Sequence, residues 1–233
     1  WILLTPIILV VILMVLLYVP PVQNLLRREV TAYASKATGM QIQVERIDLR
    51  FPLNLLVRGV EVIQQPDTLL SLESLNVRVQ AWPLIKGKVE VDEVTLSRVA
   101  VNSADLMEGM KIKGVLGRFF LQSHGVDLSN ELAVINQVEL SDTHVQLLMN
   151  DTTTTPKDTT ASAPINWKVA LHQLKLKNVS FGMQLPADSM RMTAHIGEAA
   201  INDAQADLKN QYYDLKKFLL LGTSASYDTG TAQ

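Results

Sequence analysis

The residues of this chain best suited to proton transfer or metal ligation near neutral pH are four histidines, His124, His144, His172 and His195. They are dispersed, and no two share a ligand-like spacing with a carboxylate on one strand. With no cysteine in the chain, thiolate metal sites and a disulfide scaffold are both excluded. No G-x-S-x-G elbow, HExxH helix or Walker loop occurs. Gly109, Gly114 and Gly117 in GMKIKGVLG are too widely spaced to cradle phosphate and read as turns between strands. The expectation is a protein that is not an enzyme, with no catalytic residue, no metal site and no cofactor.

Composition narrows the alternatives. Of 233 residues, 48% are hydrophobic and 19% charged, with a net charge of −2. That near-neutral balance removes the general basic field expected of a nucleic-acid binder. The hydrophobic content is unevenly placed. Residues 1–19, WILLTPIILVVILMVLLYV, carry no charge, and about 28 Å of helix at 1.5 Å per residue suits a bilayer's hydrocarbon core. A cleaved signal peptide would have a shorter apolar region and a small-residue site, whereas Pro20-Pro21 follow here. Residues 1–19 are therefore expected to be an uncleaved transmembrane anchor. Arg27, Arg28 and Lys36 lie just beyond it and by the positive-inside rule would pull that side toward the cytoplasm.

Residues 20–40 read as a short amphipathic helix, with Val22, Leu26, Val30, Tyr33, Ala37 and Met40 on one stripe and Gly39 as its breaker. Two uses fit: capping the structure that follows, which the stripe favours, or lying on the membrane surface with Arg27 and Arg28 near headgroups.

From Gln41 the texture becomes β-like. In VEVDEVTLSRVAV, residues 89–101, the apolar positions Val89, Val91, Val94, Leu96, Val99 and Val101 step by two, three, two, three, two. Neither a helix nor a plain strand has that rhythm. It returns at Ala133, Ile135, Val138, Leu140, Thr143, Val145, at Val169, Leu171, Leu174, Leu176, Val179, Phe181, and at Tyr213, Leu215, Phe218, Leu220, Thr223, Ala225. A partial copy at Ile42, Val44, Ile47 and Leu49 stops at Pro52. Val44, Val91, Ile135, Leu171 and Leu215 are separated by 47, 44, 36 and 44 residues, the mark of a repeat architecture. The pairs Asp92-Glu93, Asn136-Gln137, His172-Gln173 and Lys216-Lys217 interrupt the ladder at the same point each time. Each interruption flips side-chain parity. Bulges would curl the sheet into a trough with its apolar positions on the concave face; two-residue corners would coil it into a solenoid. At two or three strands per repeat and about 4.8 Å per strand, five copies would extend roughly 50 to 70 Å.

DAQADLKNQYYDLKKF, 203–218, has helical propensity, but the repeat register assigns Tyr213, Leu215 and Phe218 to a strand. DTTTTPKDTTASAP, 151–164, is a Thr-rich exposed loop inserted between repeats, since the rhythm resumes unchanged at Val169. The chain thus divides into an anchor (1–19), a capping helix (20–40), β repeats (41–150), the loop (151–164) and further β repeats (165–233).

TGMQIQVERIDLRFPLNLLVRGVEV, LLSLESLNVRV, WPLIKGKVEVDEVTLSRVAVN and ASYD, following an anchor and a short helix, resemble the N-terminal part of TamB-like proteins of the AsmA-like superfamily. The resemblance covers about Trp1 to Asp228 and is one of apolar pattern with few fixed residues. It implies a mainly β fold, an elongated repeating β-groove (a curled sheet, or β-taco) behind a transmembrane helix and a short amphipathic helix. It also implies a single-pass inner-membrane protein with a periplasmic groove that carries phospholipid between inner and outer membranes of a double-membraned bacterium. An Omp85-family outer-membrane partner would be met through a C-terminal region outside this sequence. The groove residues would be Val91, Val94, Leu96, Val99, Ile135, Val138, Leu140, Leu171, Leu174, Leu176, Val179, Phe181, Leu215, Phe218 and Leu220, with Arg27 and Arg28 at the membrane surface. Two other classes are compatible: an assembly factor for outer-membrane β-barrel proteins, and an inert membrane-tethered scaffold.

Overall fold

Pro20 and Pro21 suit the first turn of a helix, where backbone N–H groups have no intrahelical partner, and Gly39 takes the left-handed conformation that ends one. In the computed structural model these residues bound helix α1 (Pro20–Thr38), closed by the Gly39 N–H donating to the Ser35 carbonyl at 3.0 Å. The structure describes residues 19–80, 82–83, 90–103, 109–127, 131–149 and 166–230. The expected anchor, Val19 aside, the Thr-rich loop 151–164 and Val89 lie outside the described residues. Among the described residues, no helix is long and apolar enough to cross a membrane.

Besides a 3-10 turn at Pro186–Asp188, the remaining elements are β1 (Gln41–Arg50), β2 (Asn54–Gln64), β3 (Asp67–Val79), β4 (Val91–Asn102), β5 (Met110–Asp127), β6 (Leu132–Met149), β7 (Lys168–Leu185), β8 (Met190–Asp207) and β9 (Tyr212–Thr229). They form one curled, unclosed sheet in simple sequence order, with β1 and β9 at its edges. All neighbours are antiparallel except β6 and β7, which run parallel with Leu132 opposite Lys168. Residues 203–218 divide between the end of β8, a turn, and β9, so the register prevails over helical propensity. At that turn the Asn210 backbone N–H and Nδ2 donate to the Asp207 carboxylate at 3.0 and 2.9 Å, holding its pKa below the ordinary value.

The strand order corrects the meaning of the period. The five copies of the rhythm fall on β1, β4, β6, β7 and β9. The two steps of 44 residues each enclose a hairpin partner, β5 or β8, and the step of 47 holds the shorter β2 and β3. The step of 36 instead joins the parallel pair, and its connection links opposite ends of β6 and β7 rather than adding a unit between repeats. Nine strands at about 4.8 Å give roughly 38 Å between edge strands, shorter than the count from repeats predicts.

The rhythm itself marks corners. One pair is missing from every ladder at the same place, tracing a row through Glu45, Gly59, Glu73, Arg98, Gly117, Asp142, Asn178, Gly197 and Gly222. A second row runs through Asn136, His172, Asp203 and Lys216 on β6 to β9. Register is the same on either side of the first row, so partner strands bend together. The first row consists of paired one-residue corners within a continuous sheet rather than solenoid corners. The single-strand bulges that the parity flips also suggested occur at two of the polar pairs, where Asp92 has no partner between Arg78 and Val79 of β3 and Asn136 none between Gln122 and Ser123 of β5. Left-handed φ values occur at Gly59 (58°), Arg98 (47°), Asp142 (51°), Asn178 (53°) and Gly222 (57°). They alternate with ordinary conformations across antiparallel pairs and coincide on the parallel pair.

Side chains stitch the rows together. Arg98 Nε donates to Glu73 Oε2, Asn178 Nδ2 donates to Asp142 Oδ1 at 2.8 Å, and His172 Nδ1 lies 3.3 Å from Asp203 Oδ1. Glycine serves where backbones close in. A Cβ on Gly117 would lie 2.7 Å from Asp142 Cβ and 3.0 and 3.1 Å from the carbonyl oxygens of Asp142 and Ser141. Gly114 and Gly117 therefore sit inside β5 rather than in turns between strands.

α1 covers the β1 edge. Gln23 Nε2 donates to the Leu49 carbonyl at 3.0 Å, Arg27 Nη1 to the carbonyls of Val44 and Glu45 at 3.2 and 3.1 Å, and the Ile42 N–H donates to Ser35 Oγ at 3.1 Å. A strand edge presents unpaired backbone donors and acceptors, so polar side chains satisfy it. This is the expected cap, but made by the polar face of the helix: Val30 and Tyr33 of the apolar stripe are exposed.

The Gly117→Ala substitution is expected to destabilise the fold by about 1–3 kcal/mol, because its methyl meets backbone rather than a flexible tip. Gly182→Ala, whose Cβ would meet nothing nearer than 3.8 Å, is expected to shift stability by less than about 1 kcal/mol. Urea midpoints of the two variants at unchanged m-value check the contrast.

Candidate functional site: an apolar face across nine strands

Side chains alternate along a strand, and each corner flips the alternation by one, so residues two apart, or three apart across a corner, share a face. The ladders then assemble rows of one character. Ile47, Val57, Leu75, Leu96, Phe119, Leu140, Leu176, Ala199 and Leu220 oppose one another in turn from β1 to β9. Beside them run Leu49, Leu55, Val77, Val94, Leu121, Val138, Leu174, Ile201 and Phe218. Across the first corner lies a row from Val44 through Val60, Leu72, Val99, Leu116, Thr143, Val179 and Ile196 to Thr223. Phe181 lies one row further out, between Val145 and Ala194. Beyond the second corner, Ile135, Leu171, Ala204 and Leu215 continue the apolar surface, and Val91 pairs with Val79 on β3.

Every groove residue expected from the sequence therefore falls on this one face. Sequence reasoning missed the members on β2, β3, β5 and β8. β5 hides the rhythm behind Gly114 and Gly117; β8 carries it on Ala194, Ala199 and Ala204, whose small side chains give a weak hydropathy signal. The opposite face is predominantly polar, as in the run Arg46, Arg58, Ser74, Ser97, Arg118, Ser141, Lys177 and Glu198.

Burial separates this face from a packed core. Among the described residues, the buried hydrophobic side chains are Ile47, Leu69, Ala133 and Ala199, and no side chain is fully buried. None of these was among the expected groove residues, which are half-buried on β4, β6 and β7, while on β9 Leu215, Phe218 and Leu220 are 49%, 57% and 44% exposed. An apolar surface of this extent in water is unfavourable at about 25 cal/mol per Å² and marks an interaction surface.

His144 and His195 flank Ser180 in register on one face, while the other two histidines lie elsewhere. His124 and His172 are exposed, His172 in a corner beside Asp203, while His195 Nδ1 lies 2.9 Å from Ser180 Oγ. Among the described residues, no three His, Cys, Asp or Glu side chains converge to hold a metal ion. Arg27 is engaged with β1 carbonyls, whereas Arg28 is exposed. A scan against protein-family models gives no match, and a search of curated proteins gives none either.

Phe218→Ala is expected to cost less than about 1.5 kcal/mol in denaturant unfolding, well below the 3–5 kcal/mol typical of a buried phenylalanine, because its ring packs against one layer only.

Proposed function

We propose that this chain is a segment of a lipid conduit, in which acyl chains move along the apolar face while headgroups stay in water. The observation that carries the reading is the unbroken run of apolar rows from β1 to β9 with no second described layer packed over it. Exposed polar residues such as Arg98, Asp142, Asn178, His172 and Asp203 occupy the corners, which suits the outside of each bend and leaves the apolar rows within. Two corner rows six residues apart on β7, at His172 and Asn178, frame a floor about 20 Å wide.

The physical need is large. A phospholipid with about 28 methylenes loses on the order of 20 kcal/mol on exposing its chains to water, at about 0.8 kcal/mol each. A continuous apolar surface removes most of that barrier without chemistry, so no single residue is catalytic, although a charge set into the surface would interrupt it. The resemblance to TamB-like proteins supports the same reading and extends it to an inner-membrane anchor, a periplasmic groove and an Omp85-family partner. Leu25, Val30 and Tyr33, exposed on α1, fit a helix resting at a membrane surface near Arg28.

An assembly factor for outer-membrane β-barrel proteins is the second reading, favoured by the β9 edge, whose outer backbone groups pair with no described strand and could template another.

In cells, a benzophenone side chain placed in turn at Leu96, Leu140, Leu176 and Leu220 is expected to crosslink phospholipid, and at Glu93 and Lys216 to give background signal. Equal signal at all six positions would defeat the conduit, and crosslinks to unfolded barrel proteins in place of lipid would establish the second reading. Leu176→Lys, on the floor of the groove, is expected to abolish lipid transfer while the far-UV circular dichroism of the purified protein is retained.

A further inference from the structure

The polar face holds a concavity that the conduit does not use. A cavity of about 450 Å³ lies over β5 to β8. From β5 it takes Lys111 and Lys113 but not the intervening Ile112, and from β9 only Ser224, which places its opening on the face opposite the apolar rows, although Leu147, Phe181, Met183, Met192 and Ala194 also contribute to its wall. Register explains its shape. Lys113, Gln146, Gly182 and Thr193 oppose one another in sequence, and Gly182, with no side chain, leaves a pit in the middle of that row. Ser180 and His195, hydrogen-bonded at 2.9 Å, border it on one side and Arg191 on the other.

Its charge is the telling feature. The chain as a whole has more acidic than basic residues, 23 against 21, yet among the described residues the cavity lining includes Lys111, Lys113 and Arg191 with His144 and His195, and no Asp or Glu. Among the described residues, the nearest acidic neighbour in register is Asp228, opposite Arg191 on β9 and outside the lining. Cations on β5 and β8 stand three strand spacings apart, about 14 Å, flanking hydroxyl and amide groups of Ser180, Thr193 and Gln146. Two separated cationic rims around neutral donors match a ligand carrying more than one negative charge, and the volume suits a small molecule rather than a polypeptide.

We propose that this pit is a binding site for a phosphate-bearing small anion, either a lipid headgroup that has passed over the rim of the sheet or a soluble phosphate compound. The site stands independently of lipid movement along the opposite face.

The test is isothermal titration calorimetry on the full chain in an uncharged detergent, with inorganic pyrophosphate as probe. Binding at one site is expected, weakening as salt is raised. The Lys113→Gln/Arg191→Gln double variant is expected to bind at least 10-fold more weakly. Gly182→Val, which keeps every charge but fills the pit where a Cβ is tolerated, is expected to do the same. Arg191→Lys is expected to retain binding, which separates loss of charge from loss of fold. A short-chain phosphatidic acid below its micellar concentration forms the second arm. Tighter binding of it than of pyrophosphate assigns the headgroup, the reverse assigns a soluble compound, and either upholds the site. No binding of both probes by the unaltered chain would overturn the proposal. So would unchanged affinity in Gly182→Val, which would reduce the signal to diffuse surface charge.

Discussion

Everything in this molecule depends on how a β-ladder turns a corner without losing register. A strand alternates its side chains strictly, so a bend made by adding one residue to one strand would swap the faces of everything beyond it on that strand alone. Here both partners give up a pairing at the same point, and nine strands do so in line. The swap happens to all of them together, and the apolar surface continues around the bend. Two side-chain devices hold the line: polar pairs such as Glu73 with Arg98 and Asp142 with Asn178, and glycines where a methyl would strike backbone.

That arrangement explains how a single layer persists without a conventional core. Backbone hydrogen bonding between strands of up to 18 residues provides cohesion, while half-buried neighbours along each row shield one another laterally rather than from above. The ends of the sheet are treated unequally. At β1, amide, guanidinium and hydroxyl side chains of α1 occupy the carbonyls and N–H groups that a further strand would use; at β9 the described residues supply no such cover.

Much of this was legible in the sequence, for a physical reason. Large β-branched residues at steps of two and three leave a rhythm that few other structures produce, and it placed β4, β6, β7 and β9 with the side chains that share a face. The helix was legible from its prolines and Gly39. What was hidden had small side chains or non-local causes. Alanine replaces leucine in the middle of β8, the glycines of β5 obey a close approach set by β6, and the parallel pairing of β6 with β7 leaves the period almost unchanged. Nor could hydropathy reveal that α1 docks by its polar side, because the groups it satisfies belong to the edge of a sheet formed later in the chain. The cationic pit was equally invisible, being composed from residues on different strands around one missing side chain.

The left-handed residues of the first corner row add a rule of growth. Before the parallel pair they fall on β2, β4 and β6, and after it on β7 and β9, always on strands of the same direction. Backbone handedness at the bend is thus tied to strand polarity. Duplicating two successive strands preserves both polarity and handedness, whereas inserting one strand would set every later corner against its own chirality unless the chain also crossed back, as it does between β6 and β7. The parallel pair is the one place where strand polarity repeats, and the left-handed corner residue repeats with it.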